Sequence, residues 1–94
     1  MVAFESGPRF SLGRVVITHA ASSVLPPEDL AAAMRRHARG DWGDIDSHDN
    51  QVNEFSLQNG DRLFSVYHAR DGTKFYIITE WDRSVTTVLL PEDY

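Results

Sequence analysis

Apolar and polar positions along this chain follow two different periods. Leu30, Ala33, Met34, His37 and Ala38 recur at i, i+3, i+4, i+7 and i+8, the stripe of an amphipathic helix over 26–39. Pro26 and Pro27 stand at its start, where a missing N–H costs little. Glu28 and Asp29 in the first turn, and Arg35, Arg36 and Arg39 in the last, complement the helix dipole. Gly40 is the natural stop. A second, shorter helix is capped by Asp46 or Ser47, carries Asp49 in its first turn and ends at Asn59-Gly60. Val52 and Phe55 are its core-facing pair. Trp42 and Ile45 read as apolar pegs in the loop between the two helices.

Elsewhere the pattern is that of strands. Val15, Val16 and Ile17 form a short β-prone run ending near His19, and Ser22-Ser23 begin a turn. Arg62 to Arg70 meets Lys74 to Glu80 through Asp71-Gly72, a type I′ hairpin signal that sets Val66 opposite Ile77 and His68 opposite Phe75. A turn at Asp82-Arg83 then pairs Thr79 with Thr86 and Ile77 with Val88. In this register one face carries Phe64, Val66, His68, Phe75, Ile77, Thr79, Thr86, Val88 and Leu90, and packs on the helices. The other carries Leu63, Ser65, Tyr67, Tyr76, Ile78, Glu80, Val85, Thr87 and Leu89. A slip of one residue would exchange them. The expected fold is α+β in the order β-α-α-β-β-β, a mainly antiparallel four-stranded sheet with two helices on one face. Residues 1–13 read as a loosely held arm and 14–94 as one domain.

Composition narrows the function classes. At 94 residues with 41% hydrophobic content, the chain builds one small core. It has no cysteine, which excludes disulfides and thiolate metal sites and fits a reducing cytosol. No apolar run reaches the roughly 20 residues of a bilayer span, and the N-terminus lacks the pattern of a secretory signal. The formal charge of −5 disfavours nonspecific binding to phosphates. Direct nucleic-acid contact is therefore not the expectation, and Arg35, Arg36 and Arg39 form the one local basic spot that leaves it open.

From about Arg36 to Tyr94 the chain resembles a group of small uncharacterised proteins common on bacterial plasmids and other mobile elements. The likeness is carried by RHARGDWGD (36–44), Asp49 with Asn53-Glu54, Gly60-Asp61-Arg62-Leu63, Ser65-Val66-Tyr67 and ITEWDRSVTTVLLPEDY (78–94). It implies a mobile-element setting and transfers no activity. The element order also resembles, in topology, the barnase/RelE-type ribonuclease fold.

Candidate chemistry divides along these lines. His37 lies on the helix stripe near Asp41 and Asp44, either of which would orient it as a general base; the bland alternative is a histidine fixing a loop carbonyl. Asp41, Asp44, Asp46, His48 and Asp49 cluster, but a calcium loop counted from Asp44 has Asp49 and Phe55 where glycine and the bidentate acid belong. Capping and solvation explain the cluster, so no metal and no cofactor is expected. The second sheet face leaves a large apolar area beside hydroxyls and a carboxylate, which suits a partner or a dimer contact. The expectation is a non-enzymatic interaction protein that antagonises a host protein handling nucleic acid or defence. Its contacts would be Trp42, Asp44, Tyr67, Tyr76, Glu80, Arg83 and Thr87. The alternative is a small metal-independent ribonuclease using His37, His68, Tyr76 and Glu80.

Overall fold

The structure, a computed structural model, describes residues 7–94. Strand β1 (Arg14–Ile17) leads into helices α1 (His19–Val24), α2 (Pro27–Ala38) and α3 (Ser47–Asn59). Strands β2 (Leu63–His68), β3 (Lys74–Thr79) and β4 (Val85–Leu89) follow, and a 3₁₀ turn spans Pro91–Asp93. The sheet runs β1-β4-β3-β2, with β1 parallel to β4 and the other pairs antiparallel. The α+β class holds. Two details of the expected order change: the sheet is mixed, and the described residues contain a third α-helix.

That extra helix, α1, occupies the expected Ser22-Ser23 turn. Thr18 caps it by accepting from the Ala21 N–H at 3.2 Å, and Ser22 and Ser23 both donate their hydroxyls to the His19 carbonyl. β1 and β2 sit at opposite edges, so the helices carry the chain across the sheet. α1 and α2 cover one face. Ala21, Leu25 and Ala33, with Leu30 and Met34 beside them, pack on Tyr67, Phe75, Ile77, Val88 and Leu90. Burying each large apolar side chain here contributes roughly 1.5–3 kcal/mol relative to exposure.

α2 follows its sequence signals, with Pro27 at its first position, acids in its first turn and a left-handed Gly40 (φ 82°) past its end. α3 is capped by Asp46, whose carboxylate accepts from the Asp49 N–H at 2.8 Å, and stops at left-handed Gly60. It has 13 residues against 12 for α2, so it is not the shorter helix.

The first hairpin is shifted from the expected register. Ala69 and Thr73 close a three-residue loop; the Gly72 N–H donates to the Ala69 carbonyl at 2.8 Å, and Gly72 is left-handed at φ 90°. Arg70 is drawn into the loop because Asp29 on α2 accepts its main-chain N–H at 2.9 Å and grips its guanidinium at 2.8 Å. Leu63 therefore opposes Thr79, Ser65 opposes Ile77 and Tyr67 opposes Phe75. The β2 side chains exchange faces. Leu63, Ser65 and Tyr67 turn to the helices, while Phe64, Val66 and His68 turn away. The second hairpin keeps its expected register, Thr79 with Thr86 and Ile77 with Val88, on a four-residue loop over 81–84.

The described part of the N-terminal arm is tied down. The Arg9 N–H donates to the Ala38 carbonyl at 2.8 Å, and its guanidinium forms a bidentate pair with Glu54 at 2.8 and 2.9 Å. Phe10 packs on the rings of His37 and Trp42. The expectation for residues 1–6 lies outside the described residues.

Candidate interaction surface

The outer edge of β2 decides how α3 sits. Edge strands leave main-chain groups in need of partners. Here Asn53 supplies both: its amide N–H donates to the Phe64 carbonyl at 2.7 Å and its oxygen accepts from the Phe64 N–H at 3.1 Å. The Trp42–Asp44 loop serves Val66, two residues on, with Val66 N–H to Trp42 carbonyl at 3.1 Å and Asp44 N–H to Val66 carbonyl at 2.7 Å. Gly43 allows this approach, since a Cβ there would lie 2.0 Å from the Val66 oxygen.

In consequence α3 buries polar residues and exposes apolar ones. Asn53 and Ser56 are 4% and 5% exposed, whereas Val52 and Phe55 are 47% and 63% exposed. This overturns the reading of Val52 and Phe55 as core. Val52 and Asp49 face a trough of about 210 Å³ completed by Ile45, Asn53, Phe64 and Val66. From Phe64 the apolar surface continues onto the sheet's reverse face. Phe64 and Tyr76 lie 4.8 Å apart between ring centres, and Tyr94 stands edge-on to both at 5.7 and 6.1 Å. The sequence held one signal for this arrangement: α3 has no apolar stripe beyond its Val52/Phe55 pair.

The anticipated contact residues divide. Tyr76 and Thr87 are half-buried on the reverse face, as expected, and Glu80, at its end, lies 3.7 Å from Arg62. Trp42 is buried instead, its Nε1–H donating to Glu54 at 2.9 Å. Tyr67 is buried on the helix side, its hydroxyl donating to the Asp41 carbonyl. Burial raises its phenol pKa. Arg83, in a left-handed conformation (φ 61°), donates to the carbonyls of Asp61, Glu80 and Ser56, closing the end of α3 onto the last hairpin. These three are structural.

His37 is sealed in the core and has neither aspartate as partner. Its ring nitrogens face Ser65 Oγ at 2.6 Å and Thr79 Oγ1 at 2.9 Å. Thr79 lies 2.7 Å from Thr86, whose hydroxyl donates to the Leu12 carbonyl at 2.7 Å. A carbonyl only accepts, which sets every proton in the row. Thr86 donates to Leu12, Thr79 to Thr86, His37 Nε2–H to Thr79, and Ser65 to Nδ1. Burial, aided by the Arg83 charge, lowers the imidazole pKa to about 4. It is a neutral structural group out of reach of a substrate.

The aspartates have other partners. Asp41 accepts from Arg36 at 2.7 and 3.2 Å, which holds its carboxyl below the usual range. Asp44 accepts from His68 Nε2 at 2.8 Å on the surface. His68 with Arg36 and Arg70 lines a second cleft of about 130 Å³, but Asp41, Glu28 and Asp29 hold both guanidiniums. The basic spot is thereby reduced to Arg35 and Arg39. Among the described residues no trio of His, Asp or Glu is placed to hold a metal ion, and no helix is long and apolar enough to cross a membrane. No protein-family model, curated protein or solved structure matches the chain.

Proposed function

We propose that this chain is a non-enzymatic interaction protein whose trough receives an apolar-anchored, basic segment of another protein. The observation that carries the reading is the inverted α3, which spends its polar residues on the sheet edge and holds Val52 and Phe55 outward. Exposed apolar surface of this kind beside a concave lining is characteristic of partner sites. Charge selects the partner's sign. Asp49 lines the trough, Asp46 caps the helix that walls it and the chain carries −5. Proteins that handle nucleic acid present such basic surfaces, so antagonism of one of them, in the mobile-element setting implied by the resemblance, is the role this reading assigns.

The test is calorimetric titration with two synthetic peptides sharing a Leu/Phe helical stripe, one flanked by Lys/Arg and the other by Asp/Glu. The basic peptide binds, with affinity falling as salt rises, and Phe55→Asp weakens it at least about tenfold, roughly 1.4 kcal/mol. Equal binding of the acidic peptide would defeat the proposal.

A ribonuclease reading retains one observation, the exposed His68 imidazole oriented by Asp44. Of its other residues only Tyr76 stands near His68, on the same sheet face and two positions along β3 from the residue opposite it. His37 is enclosed, and Glu80, one residue past β3, lies six positions from Lys74, the partner of His68, a separation of roughly 20 Å at about 3.3 Å per residue. RNA that stays intact with wild type and with His68→Ala alike would remove that reading.

A further inference from the structure

Among the described residues the opposite edge of the sheet has no counterpart to Asn53. On its inner side β1 is bonded to β4, Arg14 N–H to the Ser84 carbonyl at 2.9 Å and Thr18 N–H to the Val88 carbonyl at 3.0 Å. Main-chain groups alternate along a strand, so the N–H and C=O of Val15 and Ile17 point outward. No strand pairs with that side among the described residues. Val15 and Ile17 are also 49% and 36% exposed. An edge of β-branched residues with unpaired main chain is a template for another strand.

We propose that the occupant is a second copy of this chain, its β1 antiparallel to this one about a two-fold axis at Val16. Parity limits the register. Partners that exchange both main-chain bonds must both point outward, which leaves Val15 with Val15, Ile17 with Ile17, or Val15 with Ile17. The first sets Ile17 against Gly13, which has no side chain to pack. The second sets Val15 against His19, the first residue of α1. The third pairs Val15 with Ile17 of the second copy twice by symmetry, apolar on apolar.

The same register resolves two lone charges. Arg14 and Asp93 form no salt bridge among the described residues. Asp93 is held by the Thr18 hydroxyl at 2.7 Å and the Leu90 N–H at 3.0 Å. With Val16 on the axis, Arg14 stands opposite Thr18 of the second copy, beside that copy's Asp93. Charge complementarity of this sort sets register more than affinity. Two four-stranded sheets become one continuous sheet, and the trough at the far β2 edge of each copy stays open.

Analytical ultracentrifugation over a concentration series up to about 1 mM tests this. The wild type shows a concentration-dependent dimer. Val15→Pro removes an outward N–H without touching the bonds to β4 and weakens the dimer about tenfold or more, with circular dichroism unchanged. Arg14→Asp and Asp93→Arg each weaken it, and the double exchange restores it, a readout that stays decisive if Val15→Pro unfolds. Phe55→Asp leaves it intact, which separates this edge from the trough. A monomer throughout the range, or a dimer indifferent to Val15→Pro and to both charge reversals, would overturn the proposal.

Discussion

His37 shows how a single side chain's chemistry follows from its surroundings. With Ser65, Thr79 and Thr86 it forms a one-directional row of hydrogen bonds that ends on the arm at Leu12. The unfolded chain presents an ordinary imidazole, titrating near 6.5, while the buried ring titrates near 4. Below pH 6.5 the unfolded state therefore binds the extra proton, and the folded state loses stability as pH falls towards 4. The slope approaches about 1.4 kcal/mol per pH unit. Urea unfolding between pH 7 and 5 measures it: the wild type weakens by on the order of 1–2 kcal/mol, and His37→Gln loses most of that dependence. The lowered carboxylates, among them Glu54 held down by Arg9 and by the Trp42 N–H, stabilise the fold above the ordinary carboxylate range and lose that contribution as pH falls through and below it. Ser65→Ala strips the donor from Nδ1 and costs about 1–3 kcal/mol at pH 7 by the same measurement.

For an element, α3 is the sharpest case, because its stability rests on residues a hydrophobic pattern discounts. Asn53→Leu orphans the Phe64 main-chain groups, a loss of about 2–3 kcal/mol by thermal or urea unfolding. Phe55→Ser leaves stability within about 0.5 kcal/mol, since the ring is already in water. The reverse ranking would mean that Phe55 belongs to the core. Gly43→Ala, at φ 80° and against the Val66 carbonyl, costs more than about 1 kcal/mol. These elements also show where sequence stops informing. α2 was legible from end to end because its stripe, prolines and terminal charges are all local. The ends of α3 were legible at Asp46 and Gly60, but its rotation was not, because a bond from Asn53 to the edge of β2 sets it. The β2 faces were misread for a similar reason: Asp29, on a distant helix, captures Arg70 and adds a residue to the loop. The last hairpin survived because its four-residue loop leaves the pairing of a two-residue turn unchanged.

Over the whole molecule, the two sheet edges differ in kind. The β2 edge is closed from within, by Asn53 and the Trp42–Asp44 segment, and this closure turns an apolar trough outward. The β1 edge has no pairing strand on its outer side among the described residues. The proposed preference for basic partners rests on the acidic chain and its outward Val52/Phe55 pair, while His37 is buried and His68 pairs with Asp44 on the surface. The most direct test places a photo-crosslinking phenylalanine analogue at Phe55, with the exposed Val24 of α1 as control site, in cells that express the chain. Irradiation from position 55 is expected to yield a protein adduct whose crosslinked segment is rich in Lys or Arg, and which disappears when Val52 is changed to Asp. Adducts no more abundant than those from position 24, or a crosslinked segment that is acidic, would contradict the account.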